Sequence, residues 1–371
     1  MKKPDFLRCL PSVFVVGKEY EILLLTNGNG LCMLEIGEDL FREENSGVLS
    51  SEKTVRRIRV PQSALNKEKH YTVVFRPTKE RKAYFSEFFP PLKAEFAFQP
   101  LGKTENINLY HIADVHYRFE MAKRTASYFG DDTDAFIVNG DIGEVEKEED
   151  FEAVASFVGE ISQGKIPVIF SRGNHDTRGR LAERFTDYFP CDGKRTYFPF
   201  TLGALQGVVL DCGEDKRDKG KEYDSSENTE EKYLGTNDFS AYRKAQLEFL
   251  KGYNAEQEPI SFAIAHICPM MTTLKKGDIF DIEREIYAQW NTELERIGIR
   301  FMLCGHYHRA FILSSSDERN ILPHNYPVVV GSALYGDDLW GAAITLSRDK
   351  MRVRFTNKDN NIMEEYELLF S

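Results

Sequence analysis

Histidine, aspartate and asparagine residues recur in this sequence directly after short apolar runs. The first three runs end in "IADVH", "VNGD" and "SRGNHD", and two later runs end in "AIAH" and "LCGHYH". The polar residues at these endings are Asp114, His116, Asp141, Asn174, His175, Asp176, His266, His306 and His308. Because such groups need hydrogen-bond partners, and clustered carboxylates repel one another, gathering them is costly unless bound cations or a reaction use them.

Each ending, taken alone, has an ordinary structural explanation. Gly-Asn and Gly-Asp are common turn sequences, and an Asp or Asn often caps the helix that follows a strand. A pair such as His306 and His308 can also consist of satisfied polar residues. However, the carboxyl ends of neighbouring parallel strands lie at one edge of a sheet, where α/β proteins commonly place their sites. Five such endings in one chain therefore favour a shared site over five independent turns.

The side-chain types at these endings indicate metal binding. Carboxylate, imidazole and amide ligands without thiolate suit first-row transition metals such as Mn, Fe, Zn or Co. Two ions about 3.5–4 Å apart need a bridging carboxylate and can hold a hydroxide between them. Asp141, the lone carboxylate of its strand end, is the expected bridge. Cys212, Cys268 and Cys304 lie near these endings within apolar runs, and we interpret them as packing residues.

The elements that must position these residues change in character along the chain. From Asn106 onward, apolar runs such as "AFIVN" and "ISFAIA" alternate with helical patterns, which is typical of a sheet covered on both faces. Before that point, short strand-like runs such as "SVFVV" and "YEILLLT" are separated by turn sequences such as "NGNG". The sequence therefore predicts a small all-β sandwich accessory domain over residues 1–103 and an α/β catalytic domain over residues 104–371.

Composition narrows the possible partners and location. The chain has 371 residues, 42% of them hydrophobic, and a net charge of −11, so a general nucleic-acid-binding face is not expected. No run approaches the roughly 18 apolar residues of a membrane span. Six cysteines without a CxxC pair predict reduced thiols in a cytoplasmic protein. The charged loop 213–238 is too polar for a core, so we expect either a substrate lid or a disordered insertion.

In this order and combination, the five endings resemble the motifs of the calcineurin-like metallophosphoesterase superfamily. The matching blocks are Asp114-x-His116, Gly140-Asp141, Gly173-Asn174-His175-Asp176, His266 and Gly305-His306-x-His308. The resemblance covers residues 114 to 308 and implies two mixed β-sheets packed as a sandwich flanked by helices. A β-sandwich domain ahead of this fold resembles, more weakly, the arrangement in purple acid phosphatases.

The resemblance also implies a role for each residue. One metal would be bound by Asp114, His116 and His308, and the other by Asn174, His266 and His306, with Asp141 as the bridge. His175 would face the leaving-group oxygen and would be oriented by Asp176. The stretch "GDIGEV" lacks the tyrosine of purple acid phosphatases and the arginine of serine/threonine protein phosphatases. Neither a ferric–tyrosinate centre nor protein phosphatase activity is therefore expected.

The expected activity is hydrolysis of a small phosphate ester, preferably a monoester, by a hydroxide that bridges the two metals. Arg118, Arg172 and Arg178 flank the motifs and are candidates for binding phosphate. One alternative is a phosphodiesterase that acts on cyclic nucleotides, nucleotide derivatives or short nucleic acids. Another is a non-catalytic metal-binding scaffold, which would be expected to have lost some ligands. The sequence leaves the substrate, the native metals and the oligomeric state open.

Overall fold

A computed structural model describes residues 2–216, 236–257, 259–273, 280 and 282–370 of the chain. The strands in chain order are β1 (Ser12–Val16), β2 (Glu19–Leu25), β3 (Gly30–Ile36), β4 (Asp39–Arg42), β5 (Glu44–Asn45), β6 (Val48–Leu49), β7 (Val55–Pro61), β8 (His70–Glu80), β9 (Glu87–Phe88), β10 (Leu92–Ala97), β11 (Ile107–Ile112), β12 (Ala135–Asn139), β13 (Pro167–Ser171), β14 (Phe198–Leu202), β15 (Leu205–Leu210), β16 (Ile260–Ala265), β17 (Phe301–Cys304), β18 (Phe311–Leu313), β19 (Val328–Val330), β20 (Ala333–Tyr335), β21 (Asp338–Leu346), β22 (Lys350–Thr356) and β23 (Ile362–Leu369). The α-helices are α1 (Gln62–Glu68), α2 (Phe119–Ala126), α3 (Glu148–Ser162), α4 (Phe185–Tyr188), α5 (Phe239–Gly252) and α6 (Arg284–Ile297).

Two large mixed sheets form the centre of the molecule. The larger sheet has the strand order β23-β22-β21-β11-β12-β13-β1-β2-β7, and β20 pairs with β21 at its side. The second sheet has the order β14-β15-β16-β17-β19-β18. The strands β11, β12 and β13 are parallel to one another, as are β15, β16 and β17. Each sheet therefore brings several carboxyl strand ends to the same edge.

Alternation along the strands explains how the layers pack. On β12, Ile137 belongs to the core between the two sheets, together with Phe262 of β16. Its neighbour Phe136 faces the other way and packs in a cluster with residues of α3. In the second sheet, Ala263 packs in a cluster with Trp290 of α6. Because successive strand residues point to opposite faces, each strand serves two layers. The predicted fold of two mixed sheets with helices outside is confirmed.

The strands of residues 1–103 contribute to two different sheets. Strand β1 pairs in parallel with β13, with Val13 opposite Pro167, and β2 and β7 continue the larger sheet beyond β1. Strands β3, β4, β8, β9 and β10 form a separate antiparallel sheet, whose buried Leu34 and Val73 belong to the same core as Ile107. This part of the chain is mainly β, as expected. The domain boundary between residues 103 and 104 stays a prediction, and the β1–β13 ladder crosses it.

Three further expectations concern thiols, membranes and the charged loop. All six cysteines are buried free thiols. Within the described ranges, no helix combines the length and apolar character needed to cross a membrane. The predicted lid or insertion at 213–238 falls largely outside the described residues, which exclude 217–235. Its first residues are described, and Glu214 is buried among them.

Candidate dimetal centre

Five strand ends from the two large sheets converge on one cluster of side chains. Asp114 and Asp141 follow β11 and β12, Asn174 follows β13, and His266 and His306 follow β16 and β17. Three groups in this cluster have candidate ligand atoms that all lie within 4.8 Å of one another, namely Asp114–His116–His308, His116–Asp141–His175 and Asp141–His266–His306. The second sheet therefore adds histidines to the carboxylates and the amide that the first sheet supplies.

Glycines allow these strand ends to approach closely. Gly140 has a φ of 75°, and a Cβ at this position would lie 2.5 Å from the Cα of Gly173. A Cβ on Gly173 would overlap the carboxylate of Asp141, and a Cβ on Gly305 would lie 2.6 Å from the Cβ of Ala113. The Gly173-Asn174 pair is a common turn sequence, which would give Gly173 the left-handed backbone. Instead, the left-handed backbone belongs to Gly140 and Asp141, and Gly173 provides space.

Five of the thirteen non-glycine residues with left-handed backbone in the described chain belong to the cluster. The residues concerned are Asp114 (φ 52°), His116 (44°), Asp141 (54°), His306 (76°) and His308 (51°). Each such residue costs of order 1–3 kcal/mol, and it persists only where the surroundings impose it. Here the backbone N–H of Asp114 donates to the carbonyl of Gly140 at 3.1 Å, and that of His116 donates to the carbonyl of Asp141 at 3.1 Å. Strain held by such bonds is typical of functional sites.

Two buried carboxylates, Asp114 and Asp141, lie at the centre of the cluster. The backbone N–H of His306 donates to both oxygens of Asp114, at 3.1 Å and 2.9 Å, and that of His175 donates to Oδ1 of Asp141 at 2.8 Å. Burial raises the pKa of Asp114 to about 8. Burial acts on Asp141 in the same sense, but the nearby His266 holds the pKa of Asp141 well below its usual range. Two carboxyl groups that are buried so close together, away from solvent, favour the binding of a cation.

His266 gives the most direct sign of a ligand. Its Nδ1 lies 2.6 Å from the carbonyl oxygen of Asn139 and donates to it. Its Nε2 is buried and, within the part of the chain that the structure describes, has no hydrogen-bond partner; it lies 3.2 Å from Oδ2 of Asp141 and 3.7 Å from Oδ1 of Asp114. Burial lowers the pKa of this ring, but the two carboxylates outweigh it and raise the pKa to about 10. A histidine fixed by a backbone carbonyl, with its other nitrogen aimed at carboxylates, is a common metal ligand.

The remaining ligand candidates fall on the two sides of Asp141. On one side, Nε2 of His116 lies 3.1 Å from Nε2 of His308, which lies 3.5 Å from Oδ1 of Asp114. On the other side, Nδ1 of His306 lies 3.0 Å from Oδ1 of Asn174. Asp141 shares one close group with His116 and another with His266. Carboxylate, imidazole and amide donors in two groups around a shared carboxylate fit two transition-metal ions.

His175 and Asp176 have different surroundings from each other. The His175 side chain is 37% exposed, and its Nε2 lies 4.0 Å from Oδ2 of Asp141. Asp176 is buried, and its Oδ2 accepts hydrogen bonds from the backbone N–H groups of Gly173 (2.8 Å) and Asp141 (3.1 Å). The resemblance implied that Asp176 orients the His175 ring. The described hydrogen bonds of Asp176 instead hold the backbone that follows β12 and β13. The side chains of His175 and Asp176 point in different directions because they are consecutive residues of the 3₁₀ turn His175–Thr177.

The three candidate arginines differ in what they contact. Arg172 donates from Nε to Oδ2 of the buried Asp211 at 2.8 Å, and Arg118 donates from Nη1 to the carbonyl of Gly336 at 2.8 Å. Arg178 lies beside the cluster, with Nη1 3.2 Å from Nε2 of His175. Its partner Glu214 was not predicted as a site residue. The signal was present in "VVLDCGED", where Glu214 and Asp215 lie shortly after another parallel strand, β15, but both residues fall within the charged loop predicted over 213–238.

Comparisons with known proteins agree with this geometry. The family model for calcineurin-like phosphoesterases matches residues 107–310. Similar solved structures include the purple acid phosphatase PPD1 from yellow lupin (Lupinus luteus) seeds, with 11% identity, a TM-score of 0.63, and coverage of 97% of this chain and 74% of that one. Another is PhoD, with 10% identity, a TM-score of 0.59, and coverage of 100% and 90%. At these identities the structural matches show a shared fold.

No curated protein matches the sequence significantly. The family model nevertheless spans more than half of the chain and contains every predicted site residue. The chain therefore belongs to the calcineurin-like phosphoesterase family of metal-dependent phosphoester hydrolases.

Proposed function

We propose that this protein hydrolyses phosphate monoesters at a centre of two transition-metal ions, drawn from Mn, Fe, Zn and Co. The residues that would hold the first ion are Asp114, His116 and His308, and those for the second are Asn174, His266 and His306, with Asp141 shared. The observation that carries this proposal is the buried Nε2 of His266, which faces two buried carboxylates and has no hydrogen-bond partner among the described residues. A cation there would give this nitrogen a partner and would offset the repulsion between the carboxylates.

The chain's own residues have distinct tasks in the reaction. When bound, the two ions would supply Lewis acidity and an activated water. In the overall reaction, the bond from phosphorus to the ester oxygen breaks, a bond from phosphorus to the water oxygen forms, and the ester oxygen leaves as an alcohol after gaining a proton. His175 is placed at the exposed edge of the cluster, where it can face this oxygen and help to stabilise or protonate it. Asp176 keeps the strand ends in register.

The proposed substrate is a small phosphorylated compound. A net charge of −11 supports this choice over a long nucleic acid, whose binding relies on neutralising many phosphates. A cytoplasmic location is also proposed, because all six cysteines are free thiols in a chain long enough to offer pairing partners.

Metal content and hydrolysis measured together test the proposal. Wild-type protein loaded with Mn, Fe, Zn or Co should contain about two ions per chain, and chelation should remove both the ions and the hydrolysis of p-nitrophenyl phosphate. Asp141→Asn should weaken the binding of both ions, since it removes the shared charge.

Asp134→Asn is the matched control for this experiment. Asp134 precedes the same strand β12 that Asp141 follows, and it accepts from the backbone N–H of Asn108 at 2.8 Å. Because Asp134 lies at the opposite end of β12 from Asp141, the Asp134→Asn variant should keep the metal content and activity of the wild type. Full hydrolysis in chelator, or two tightly bound ions in Asp141→Asn, would contradict the proposed centre.

A further inference from the structure

Arg178 is anchored at the edge of the candidate centre by the acidic segment that follows β15. Its Nε donates to Oε2 of Glu214 at 2.6 Å, and its Nη2 donates to Oδ1 of Asp215 at 3.1 Å. The side chain of Glu214 is only 1% exposed. A carboxylate so deeply buried requires a charged partner, so the ion pair with Arg178 is tightly constrained.

Side chains of helix α5 hold the backbone of the segment that carries Glu214. The fully buried Arg243 of α5 donates from Nε to the carbonyl of Cys212 at 2.8 Å and from Nη2 to the carbonyl of Glu214 at 2.6 Å. Gln246, one turn further along α5, donates from Nε2 to the carbonyl of Asp211 at 2.7 Å. The partner of Arg178, Glu214, is therefore carried by a backbone that hydrogen bonds hold in place. Ordering Arg178 for ligand binding then costs less conformational entropy.

The anchored guanidinium points toward the reacting end of the cluster. Its Nη1 lies 3.2 Å from Nε2 of His175, while its opposite edge contacts the buried Glu214. Asp215 links the same segment to the residues that would hold the second ion, since its Oδ2 lies 4.0 Å from Nε2 of His306. Because a guanidinium has only N–H donors and a fixed positive charge, it suits an anionic oxygen located beside His175.

We propose that Arg178 binds a terminal phosphoryl oxygen of the substrate and thereby selects phosphomonoesters over phosphodiesters. This inference rests on the proposed function and names the residue that selects the substrate class of the same centre. A monoester has three terminal oxygens and up to two negative charges, whereas a diester has two terminal oxygens and one charge. A fixed donor beside the centre gains a charge-assisted bond to the additional oxygen of the monoester. In a diester, that position carries a second ester group, which is a weaker acceptor and is bulkier.

The test compares two esters with the same leaving group, p-nitrophenyl phosphate and bis(p-nitrophenyl) phosphate. Arg178→Gln should lower kcat/KM for the monoester by about 10²-fold, the loss expected for one preorganised donor. The same variant should change kcat/KM for the diester only a few-fold. Glu214→Gln keeps the arginine but weakens its anchor, so its loss on the monoester should be intermediate. Equal losses on both esters, or no loss on the monoester, would overturn the proposal.

Two further variants separate substrate recognition from folding. Arg178→Gln removes the guanidinium that pairs with the buried Glu214, and this loss alone can destabilise the segment that carries Glu214. The double variant Arg178→Gln/Glu214→Gln removes both charges and should show the same loss on the monoester with wild-type metal content. Arg184→Gln is the matched control, since Arg184 donates from Nη1 to Glu148 at 2.6 Å in an exposed ion pair. It should leave both activities unchanged.

Titration of the metal-loaded proteins with inorganic phosphate gives a readout that does not depend on turnover. Wild-type protein should bind phosphate at least about 10-fold more tightly than Arg178→Gln, since a charge-assisted bond is lost. If the wild type hydrolyses neither ester, the proposed function fails, but this titration still decides the role of Arg178. Equal phosphate affinity in the two proteins would show that Arg178 does not contact the anion.

Discussion

Replacing Gly140 with alanine should remove metal binding by separating two strand ends. The added Cβ would lie 2.5 Å from the backbone of Gly173 and 2.8 Å from Nδ1 of His266. Ordinary contacts begin near 3.4 Å, so the backbone of the two strand ends must move apart by about 0.9 Å, the difference between 3.4 Å and 2.5 Å. Metal sites tolerate deviations of only about 0.2 Å in ligand distance. A shift of this size therefore exceeds what Asp141 and His266 can accommodate.

Gly193 provides a control for the backbone conformation alone. Its φ of 65° resembles the 75° of Gly140, but a Cβ at Gly193 would have no atom of the described residues within 4 Å. Both alanine variants should lose roughly 1–2 kcal/mol of stability from the left-handed backbone. Only Gly140→Ala should also lose metal and activity.

The assay is elemental analysis of the purified, metal-loaded variants, followed by kcat/KM for p-nitrophenyl phosphate. We expect Gly140→Ala to retain fewer than about one ion per chain and to lose at least about 10²-fold in kcat/KM. Gly193→Ala should retain about two ions and most of the activity. Wild-type metal content and near wild-type kcat/KM in Gly140→Ala would refute the reasoning, because the strand ends would then not need their observed separation.

Three further predictions concern single side chains. His175→Ala should keep both metals but lower kcat by roughly 10²–10⁴ on alkyl phosphates and by less on aryl phosphates, whose leaving groups need little protonation; an equal loss on both would exclude this role. Asp176→Ala should lower the free energy of unfolding by about 2–4 kcal/mol in denaturant titrations, because two backbone N–H groups lose their buried acceptor; unchanged stability would contradict the observed bonds. In the metal-free protein the pKa of Asp114 is about 8 and that of His266 is about 10, and both proposed ligands would have to lose a proton to bind metal, so metal affinity should fall as the pH drops through these values. Calorimetry in buffers of different ionisation enthalpy should detect the released protons, and a pH-independent affinity would contradict this prediction.

The positions of the candidate ligands could be predicted because the relevant signals are local. An apolar run followed by Asp114 or His266 marks a strand end, and parallel strands bring their ends together whatever their order in the sheet. The structure places these residues together, while their roles as ligands stay predictions. The same local reading could not identify the partner of Asp176, because that depends on how the turn at His175–Thr177 rotates successive side chains.

Contacts between distant segments account for what the sequence did not reveal. The composition around Glu214 indicates a solvated loop, and its burial results from Arg178 and Arg243, which lie far away in the chain. Likewise, a run such as "SVFVV" predicts a strand but does not specify its neighbour. The pairing of β1 with β13 depends on long-range packing, so the continuity of the larger sheet could not be foreseen.

The pairing of β1 with β13 has consequences for the synthesis of the chain and for its truncation. During translation, β1 leaves the ribosome long before β13, so the larger sheet cannot close until the chain has been synthesised beyond Ser171. Contacts so distant in sequence favour slow folding, during which unpaired strands are exposed to aggregation. A fragment that begins at residue 104 would present β13 as a bare edge, with five apolar or small residues that are all buried in the whole chain. Residues 12–25 therefore act as an intramolecular cap for this edge, and supplying them in trans as a peptide should rescue the solubility of such a fragment.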